Sequence, residues 1–236
     1  MRLTKLGPLD SRITGGTDRE GGGDGPVVIL LHGFGASGDD LVPLARVLAA
    51  PAGTRFVFPA GPIDLGHQFA GGRAWWPVDF EERARRQALG VNRDLAEVPA
   101  GLDAARAAVD AFLDEAMRTL APASNTLVLG GFSQGAMLSL DTVLRSTRAF
   151  AGLVLLSGSH IAADEWAPRF EGRRGLPVFM SHGQSDDVLP FAVADALRGT
   201  LVARGIPVEW TAFRGGHAIP GNVVDEVSRF LVRVLK

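Results

Sequence analysis

Residues 126–136 read TLVLGGFSQGA, a pattern that indicates the fold class. It opens with a short β-branched and apolar run, which predicts a buried strand. Glycines stand two residues before and two residues after Ser133, and a segment with helical periodicity begins near Ala136. A strand, a sharp turn and a helix in this order are the required context of the G-x-S-x-G elbow. The glycines are needed because larger side chains there would collide with the neighbouring strand and helix.

Outward from the elbow, short apolar runs alternate with helical segments. Strands are predicted at Val27–Leu31, 55–58, 126–129, 153–156, 178–181 and Val208–Phe213. Helices are predicted at 41–50, 101–120, 136–144, 191–204 and 223–235. Continuously apolar strands are typical of a parallel sheet, and strand–helix alternation implies βαβ units. We therefore predict an α/β fold with a mostly parallel central sheet flanked by helices on both faces, and one or two antiparallel edge strands in the first 20 residues.

Composition excludes several classes of function. The 236 residues carry a net charge of -2, so the basic excess of a nucleic-acid-binding protein is missing and we expect no nucleic-acid partner. The chain contains no cysteine, which excludes disulfides and thiol nucleophiles and fits a cytoplasmic location. No signal-peptide pattern precedes Val27–Leu31, and that run is too short to cross a bilayer. We expect a single domain over residues 1–236 with no stable membrane association.

Two long stretches, 60–99 and 159–175, lack clear periodicity. Loops of this length are usually functional or contain short helices. In an open α/β sheet they would lie over the carboxyl ends of the strands, where ligands bind. A basic cluster within the first stretch, formed by Arg83, Arg85 and Arg86, is interpreted as a solvated helical face.

Ser133 is the candidate nucleophile, and a serine hydroxyl needs a base to take its proton. In proteins with a G-x-S-x-G elbow, the catalytic residues follow one another along the chain as Ser, then Asp or Glu, then His. His217 is the last of five histidines and follows two glycines after the final predicted strand, so it is the candidate base. The acid should lie in the loop after strand 178–181, where Asp186 and Asp187 compete.

Acyl transfer also needs donors for the oxyanion of the tetrahedral intermediate. One candidate is the backbone N–H of Gln134, the residue after the nucleophile. The other is the backbone N–H of Phe34 in the HGFG segment at 32–35, whose phenyl ring is then free to line the pocket. His182, at the end of a predicted strand, is interpreted as structural.

Together these motifs resemble the phospholipase/carboxylesterase family, the bacterial relatives of the acyl-protein thioesterases. The matching segments are LHGFG at 31–35, GGFSQGA at 130–136, LSG at 156–158, HGQSD at 182–186, LP at 189–190 and GGH at 215–217. The resemblance implies the α/β-hydrolase fold. It also assigns the acid to Asp186, which leaves Asp187 to face solvent or to cap the helix that follows.

The resemblance further implies a carboxylic ester hydrolase that works through an acyl-enzyme, without a metal or organic cofactor. Short-to-medium acyl esters are the expected small-molecule substrates, with a thioesterase or lysophospholipase as the alternative and a monomer or homodimer as the expected state. A non-catalytic binding protein of this fold is disfavoured because all three triad residues are present. Trp75 and Trp76 would line the substrate cleft or pack their loop onto the body, and the same two alternatives hold for Trp166.

Overall fold

The structure is a computed structural model that describes residues 1–89 and 94–236, apart from the side chains of Gln68, Arg83 and Gln87. The strands are β1 Arg2–Leu6, β2 Leu9–Gly15, β3 Val27–Leu31, β4 Arg55–Pro59, β5 Ile63–Asp64, β6 Arg73–Ala74, β7 Leu127–Phe132, β8 Gly152–Leu156, β9 Val178–Gly183 and β10 Val208–Phe213. The α-helices are α1 Phe80–Ala88, α2 Leu102–Leu120, α3 Gln134–Arg145, α4 Ala163–Trp166, α5 Phe191–Ala203 and α6 Gly221–Val234. None of these described helices is long and apolar enough to span a membrane.

Eight strands form one sheet in the order β1-β2-β4-β3-β7-β8-β9-β10. The β1–β2 and β2–β4 pairs are antiparallel, and every other neighbouring pair in this sheet is parallel. The predicted mostly parallel sheet is confirmed, and so are the antiparallel strands from the first 20 residues, which lie at one edge. The short strands β5 and β6 form a separate antiparallel pair.

Both faces of the sheet are covered. Along β3, Val27, Ile29 and Leu31 join the cluster packed under α2, α3 and α5, whereas Val28 and Leu30 join the cluster under α6. The stripe that helical periodicity predicts on α2 is buried as expected: Leu102, Ala105, Val109, Phe112, Leu113, Ala116 and Leu120. The continuous apolar strands therefore have the physical cause expected for a sheet that is buried on both sides.

The helix predicted at 41–50 is wrong. The structure has a single 3-10 segment, Val42–Arg46, while Leu41 and Leu48 are buried beside it. Pro43 lies in its first turn and has no N–H to donate, and Pro51 disfavours helical backbone in the residue before it. The apolar spacing therefore reflects burial of one short turn on the sheet, without a full helix.

The long stretches 60–99 and 159–175 contain short elements of their own. The first contributes β5, β6 and α1, and the second contributes α4 and the 3-10 segment Ala167–Arg173. They meet where the N–H groups of Ala162 and Ala163 donate to backbone carbonyls at positions 97 and 95, at 3.2 and 2.8 Å. Because the stretches follow parallel strands β4 and β8, both begin at the carboxyl edge of the sheet.

Candidate active site

The elbow has the geometry that its sequence predicts. Ser133 has φ 55° and ψ -116° between β7 and α3, a conformation that costs about 1–3 kcal/mol for a residue with a side chain. A Cβ at Gly131 would lie 2.5 Å from the carbonyl oxygen of Leu31, and one at Gly135 would lie 2.1 Å from it. Both glycines are therefore required because the elbow presses against the end of β3.

The acid and the base are in contact. His217 Nδ1–H donates to Asp186 Oδ2 at 2.7 Å, and the Asp186 side chain is fully buried. The other carboxylate oxygen, Oδ1, accepts the backbone N–H groups of Val188 and Leu189 at 2.9 and 2.8 Å. These bonds to residues two and three positions on form an Asx-type turn, which orients the carboxylate towards the histidine.

The base loop lies directly on the acid loop and beside the elbow. The N–H of Ser185 donates to Gly215 O at 2.9 Å, and a Cβ at Gly183 would lie 2.2 Å from Gly216 O. The imidazole of His217 contacts the ring of Phe132 with centroids 4.7 Å apart. Phe132 immediately precedes Ser133, so the three predicted triad residues gather at one edge of the sheet.

His182 does more than pack at a strand end. Its Nε2–H donates to Leu189 O at 2.8 Å, and the same nitrogen lies 3.2 Å from Asp186 Oδ2. Burial lowers the pKa of His182, so the ring is neutral and directs the positive end of an N–H dipole towards the carboxylate. Asp187, in contrast, is exposed, as one of its two predicted placements requires.

The two candidate oxyanion donors lie on adjacent strand ends. Phe34 follows β3, and Gln134 is the first residue of α3. A Cβ at Gly33 would lie 3.4 Å from Ser133 Cβ, so the loop that carries Phe34 runs against the serine. The first bonds of α3 are donated by Ala136 and Met137 to the carbonyl of Ser133. The N–H of Gln134 therefore has no helical acceptor.

Trp75 and Trp76 are buried, with 1% and 3% of their surface exposed. Both belong to the core cluster under α2 and α3. Burial favours the packing alternative and does not support the substrate-lining role, because the rings fill the space between their loop and the body. Trp166 is also buried, and its indole N–H donates to the carboxylate of Asp141 at 2.8 Å.

Phe34, whose ring was predicted to line the pocket, forms an aromatic rim with Phe69 and Phe80, two residues that the sequence did not predict at the site. Phe34 contacts Phe69 and Phe80 edge-on, with centroid distances of 5.7 and 5.3 Å. Phe69 and Phe80 are 36% and 47% exposed, so they offer apolar surface next to the loop of a candidate oxyanion donor. Their only sequence signal is the presence of two phenylalanines in an otherwise non-periodic stretch.

The buried histidines predict acid sensitivity of the fold. Burial lowers the pKa of His32, His160 and His182 below the ordinary value of 6.5. The unfolded chain therefore takes up protons near pH 6.5 that the folded protein binds only at lower pH. The free energy of unfolding should hold above pH 6.5 and fall progressively below it.

Urea unfolding at several pH values between 5 and 7.5 would measure this slope. His160→Phe is the informative variant, because Nε2 of His160 has no partner among the described residues and its ring stacks on Trp166. We expect a shallower dependence on pH in this variant. An unchanged slope would mean that His160 titrates alike in both states.

Comparisons with known proteins identify the family of the chain. A model of the phospholipase/carboxylesterase family matches residues 20–235. Acyl-protein thioesterase 1 of Neurospora crassa is 27% identical over 216 residues, which cover 88% of this chain and 86% of the relative. The protein of the same name from Eremothecium gossypii is 28% identical over 213 residues, which cover 86% of this chain and 85% of the relative.

Solved structures show the same fold. The crystal structure of esterase PE8 matches with a TM-score of 0.80 at 27% identity, over 97% of this chain and 99% of that one. A carboxylesterase from Mesorhizobium loti matches with a TM-score of 0.72 over 98% and 97% of the two chains, and at 21% identity it shows the fold alone. The family model covers most of the chain, and the chain therefore belongs to the phospholipase/carboxylesterase family of α/β-hydrolase enzymes.

Proposed function

We propose that this protein is a serine carboxylesterase that hydrolyses short-to-medium acyl esters through an acyl-enzyme. The observation that carries the proposal is the hydrogen bond from His217 to the buried Asp186 carboxylate, made by an imidazole that contacts Phe132, the residue before a serine in the strained elbow conformation. A neutral imidazole held in this way presents Nε2 as its basic nitrogen, since Nδ1 carries the proton that Asp186 accepts.

In the proposed mechanism, Ser133 Oγ forms a bond to the ester carbonyl carbon while its proton passes to His217 Nε2. The carbonyl oxygen becomes an oxyanion that accepts hydrogen bonds from the N–H groups of Phe34 and Gln134. The bond to the alcohol oxygen then breaks, and His217 returns the proton to the leaving alcohol. Water repeats the sequence on the acyl-enzyme, and Asp186 stabilises the imidazolium in both halves.

The aromatic rim supports an acyl substrate. Phe69 and Phe80 expose apolar surface in contact with Phe34, whose backbone N–H is a proposed oxyanion donor. An acyl chain that extends from the reacting carbonyl along this surface would shield the apolar surface from water. Each methylene buried in this way contributes roughly 0.8 kcal/mol, so the selectivity for chain length should originate here.

Phe80→Ala tests this account of substrate selection. We expect kcat/KM for octanoyl esters to fall about fivefold, which corresponds to on the order of 1 kcal/mol of lost apolar contact. Acetyl esters, which are too short to reach the ring, should be hydrolysed at the wild-type rate. A series of p-nitrophenyl esters of increasing chain length measures both effects.

Leu3→Ala is the matched control, because Leu3 is an exposed apolar side chain on the edge strand β1. It should leave the whole chain-length profile unchanged. Equal losses on acetyl and octanoyl esters in Phe80→Ala would contradict an acyl-binding role for the rim.

A thioesterase is the second candidate, and the names of the fungal relatives favour it. The same serine, histidine and aspartate would cleave either bond. Matched acyl esters and acyl thioesters of one chain length would separate the two, with thiol release followed by a disulfide reagent. The protein contains no cysteine and gives no background in that assay.

The cytoplasmic location, the monomeric or homodimeric state and a single domain over residues 1–236 stay predictions. The same holds for the expected lack of a cofactor and of a nucleic-acid partner. A non-catalytic role would require that folded protein fails to react with a fluorophosphonate, which modifies activated serines. The proposed function requires the opposite result, with Ser133 modified.

A further inference from the structure

The side chain of Gln134 is buried, and both the oxygen and the nitrogen of its amide are hydrogen-bonded. Only 2% of the residue is exposed, its Oε1 accepts the N–H of Trp75 at 2.9 Å, and its Nε2 donates to Trp76 O at 2.9 Å. The two partners fix the orientation of the amide, since an N–H needs the oxygen and a carbonyl needs the nitrogen. The first residue of α3 is thereby attached to the segment 73–76.

The other end of that segment is attached to the loop that carries Phe34. Gly35 N–H donates to Arg73 O, and Arg73 N–H donates to Ala36 O, both at 2.9 Å. Segment 73–76 therefore spans from the residues just after Phe34 to the side chain of Gln134. These are the two residues whose backbone N–H groups are the proposed oxyanion donors.

A third connection runs through Trp75 and His32. The indole N–H of Trp75 donates to His32 O at 2.9 Å, and the two rings lie 5.2 Å apart. His32 Nε2 accepts the N–H of Gly61 at 2.9 Å, so Nδ1 carries the proton and donates to Gly33 O at 2.7 Å. Burial lowers the pKa of His32 and keeps this ring neutral.

We propose that the Gln134 side chain, Trp75 and His32 form an oxyanion brace that sets the separation of the Phe34 and Gln134 N–H groups. They are positioning residues, because they act through the backbone of the two donors. The inference rests on the proposed function, since it assumes that these N–H groups bind the oxyanion. It assigns the buried Trp75 a role in the reaction rate that does not require contact with substrate.

The brace is needed because the two donors follow different strands, so no single element fixes the distance between them. Donors aimed at an oxyanion are effective only when they are held in place before charge develops. Functional groups must be held within about 0.5 Å of the productive geometry, and loops meet this requirement less well than helices and strands. Loss of the brace should weaken binding of the oxyanion while binding of the uncharged ester changes little.

Gln134→Met and Trp75→Phe test the brace. Methionine has nearly the length of glutamine but cannot make either bond, and phenylalanine keeps an aromatic ring without the indole N–H. We expect kcat for p-nitrophenyl butyrate to fall about 10- to 100-fold, below the 10²–10³ cost of deleting a donor outright. KM should stay within about twofold of wild type, as expected for an interaction made only in the transition state.

Inhibition by a trifluoromethyl ketone distinguishes the brace from a merely structural role, which would leave the inhibition constant unchanged. Ser133 Oγ bonds to its carbonyl carbon, the Oγ proton passes to His217, and the ketone oxygen becomes an oxyanion. Its inhibition constant should rise in both variants by the same factor as kcat falls. The pH at which kcat/KM is half-maximal should not change, because the Asp186–His217 pair is untouched.

Trp166→Phe is the matched control, since it also deletes a buried indole hydrogen bond, the one to Asp141. It should lower the melting temperature without a change in kcat. The brace is refuted if Gln134→Met and Trp75→Phe keep wild-type kcat, or if Trp166→Phe loses as much. If Gln134→Met does not fold, Trp75→Phe alone decides. Wild-type protein that neither hydrolyses esters nor reacts with a fluorophosphonate would instead overturn the proposed function.

Discussion

Ser133→Ala is expected to lower kcat for ester hydrolysis by about 10⁶-fold, the size of effect seen when a triad serine is deleted. The substitution removes the only atom that would bond to the acyl carbon, and it removes little volume. The elbow should stay intact because alanine keeps the Cβ and accepts the same backbone conformation. Steady-state hydrolysis at high protein concentration measures the residual rate, and thermal unfolding checks the fold.

Ser157→Ala is the matched control for this result. Ser157 also follows a parallel strand at the carboxyl edge of the sheet, is buried, and has a positive φ of 47°. Its hydroxyl donates to Ala218 O at 3.4 Å, a long bond, so we expect less than a tenfold loss of activity. A larger loss in Ser157→Ala than in Ser133→Ala would mean that the nucleophile is assigned to the wrong serine.

Asp186→Asn is expected to lower kcat by about 10⁴-fold. The carboxylate oxygen lies 2.7 Å from His217 Nδ1. In the proposed mechanism it holds the imidazole in the tautomer that leaves Nε2 free, and it stabilises the imidazolium. An amide in the same place can present its N–H₂ group to Nδ1, which then reverses the tautomer. Measurement of kcat on a butyryl ester, with a melting temperature as the check on folding, tests this.

Asp187→Asn provides the comparison, because Asp187 is adjacent in sequence but exposed. Its activity should stay within about twofold of wild type. The assignment of the acid is wrong if Asp187→Asn abolishes activity and Asp186→Asn does not.

The fold could be predicted from the sequence because its strands are buried on both faces. A run such as 153–156 is continuously apolar only in a covered sheet, and β8 indeed spans Gly152–Leu156. The helix predicted at 41–50 was wrong because the spacing of apolar residues indicates which residues are buried. It does not indicate how many helical turns the backbone completes. Pro43 indicates a shorter segment, because proline has no N–H to donate inside a helix.

The candidate site was predictable where function depends on local geometry. Ser133 is recognisable because a sharp turn needs glycines at fixed positions, and His217 because it follows two glycines after the last strand. The directions of Trp75 and Phe80 were not predictable, since an irregular loop has no period that assigns side chains to a face. For the same reason, the contact between the Gln134 side chain and the segment 73–76 could not be predicted from the sequence.

Mapping where a fluorophosphonate reacts with the folded wild-type protein tests whether Ser133 is the nucleophile. Peptide mass spectrometry should find one modified residue, Ser133, and ester hydrolysis should be lost in proportion to the fraction of Ser133 that is modified. Prior incubation with a slowly hydrolysed ester should protect Ser133. Hydrolysis that continues while Ser133 is fully modified, or modification at another serine alone, would contradict the proposed mechanism.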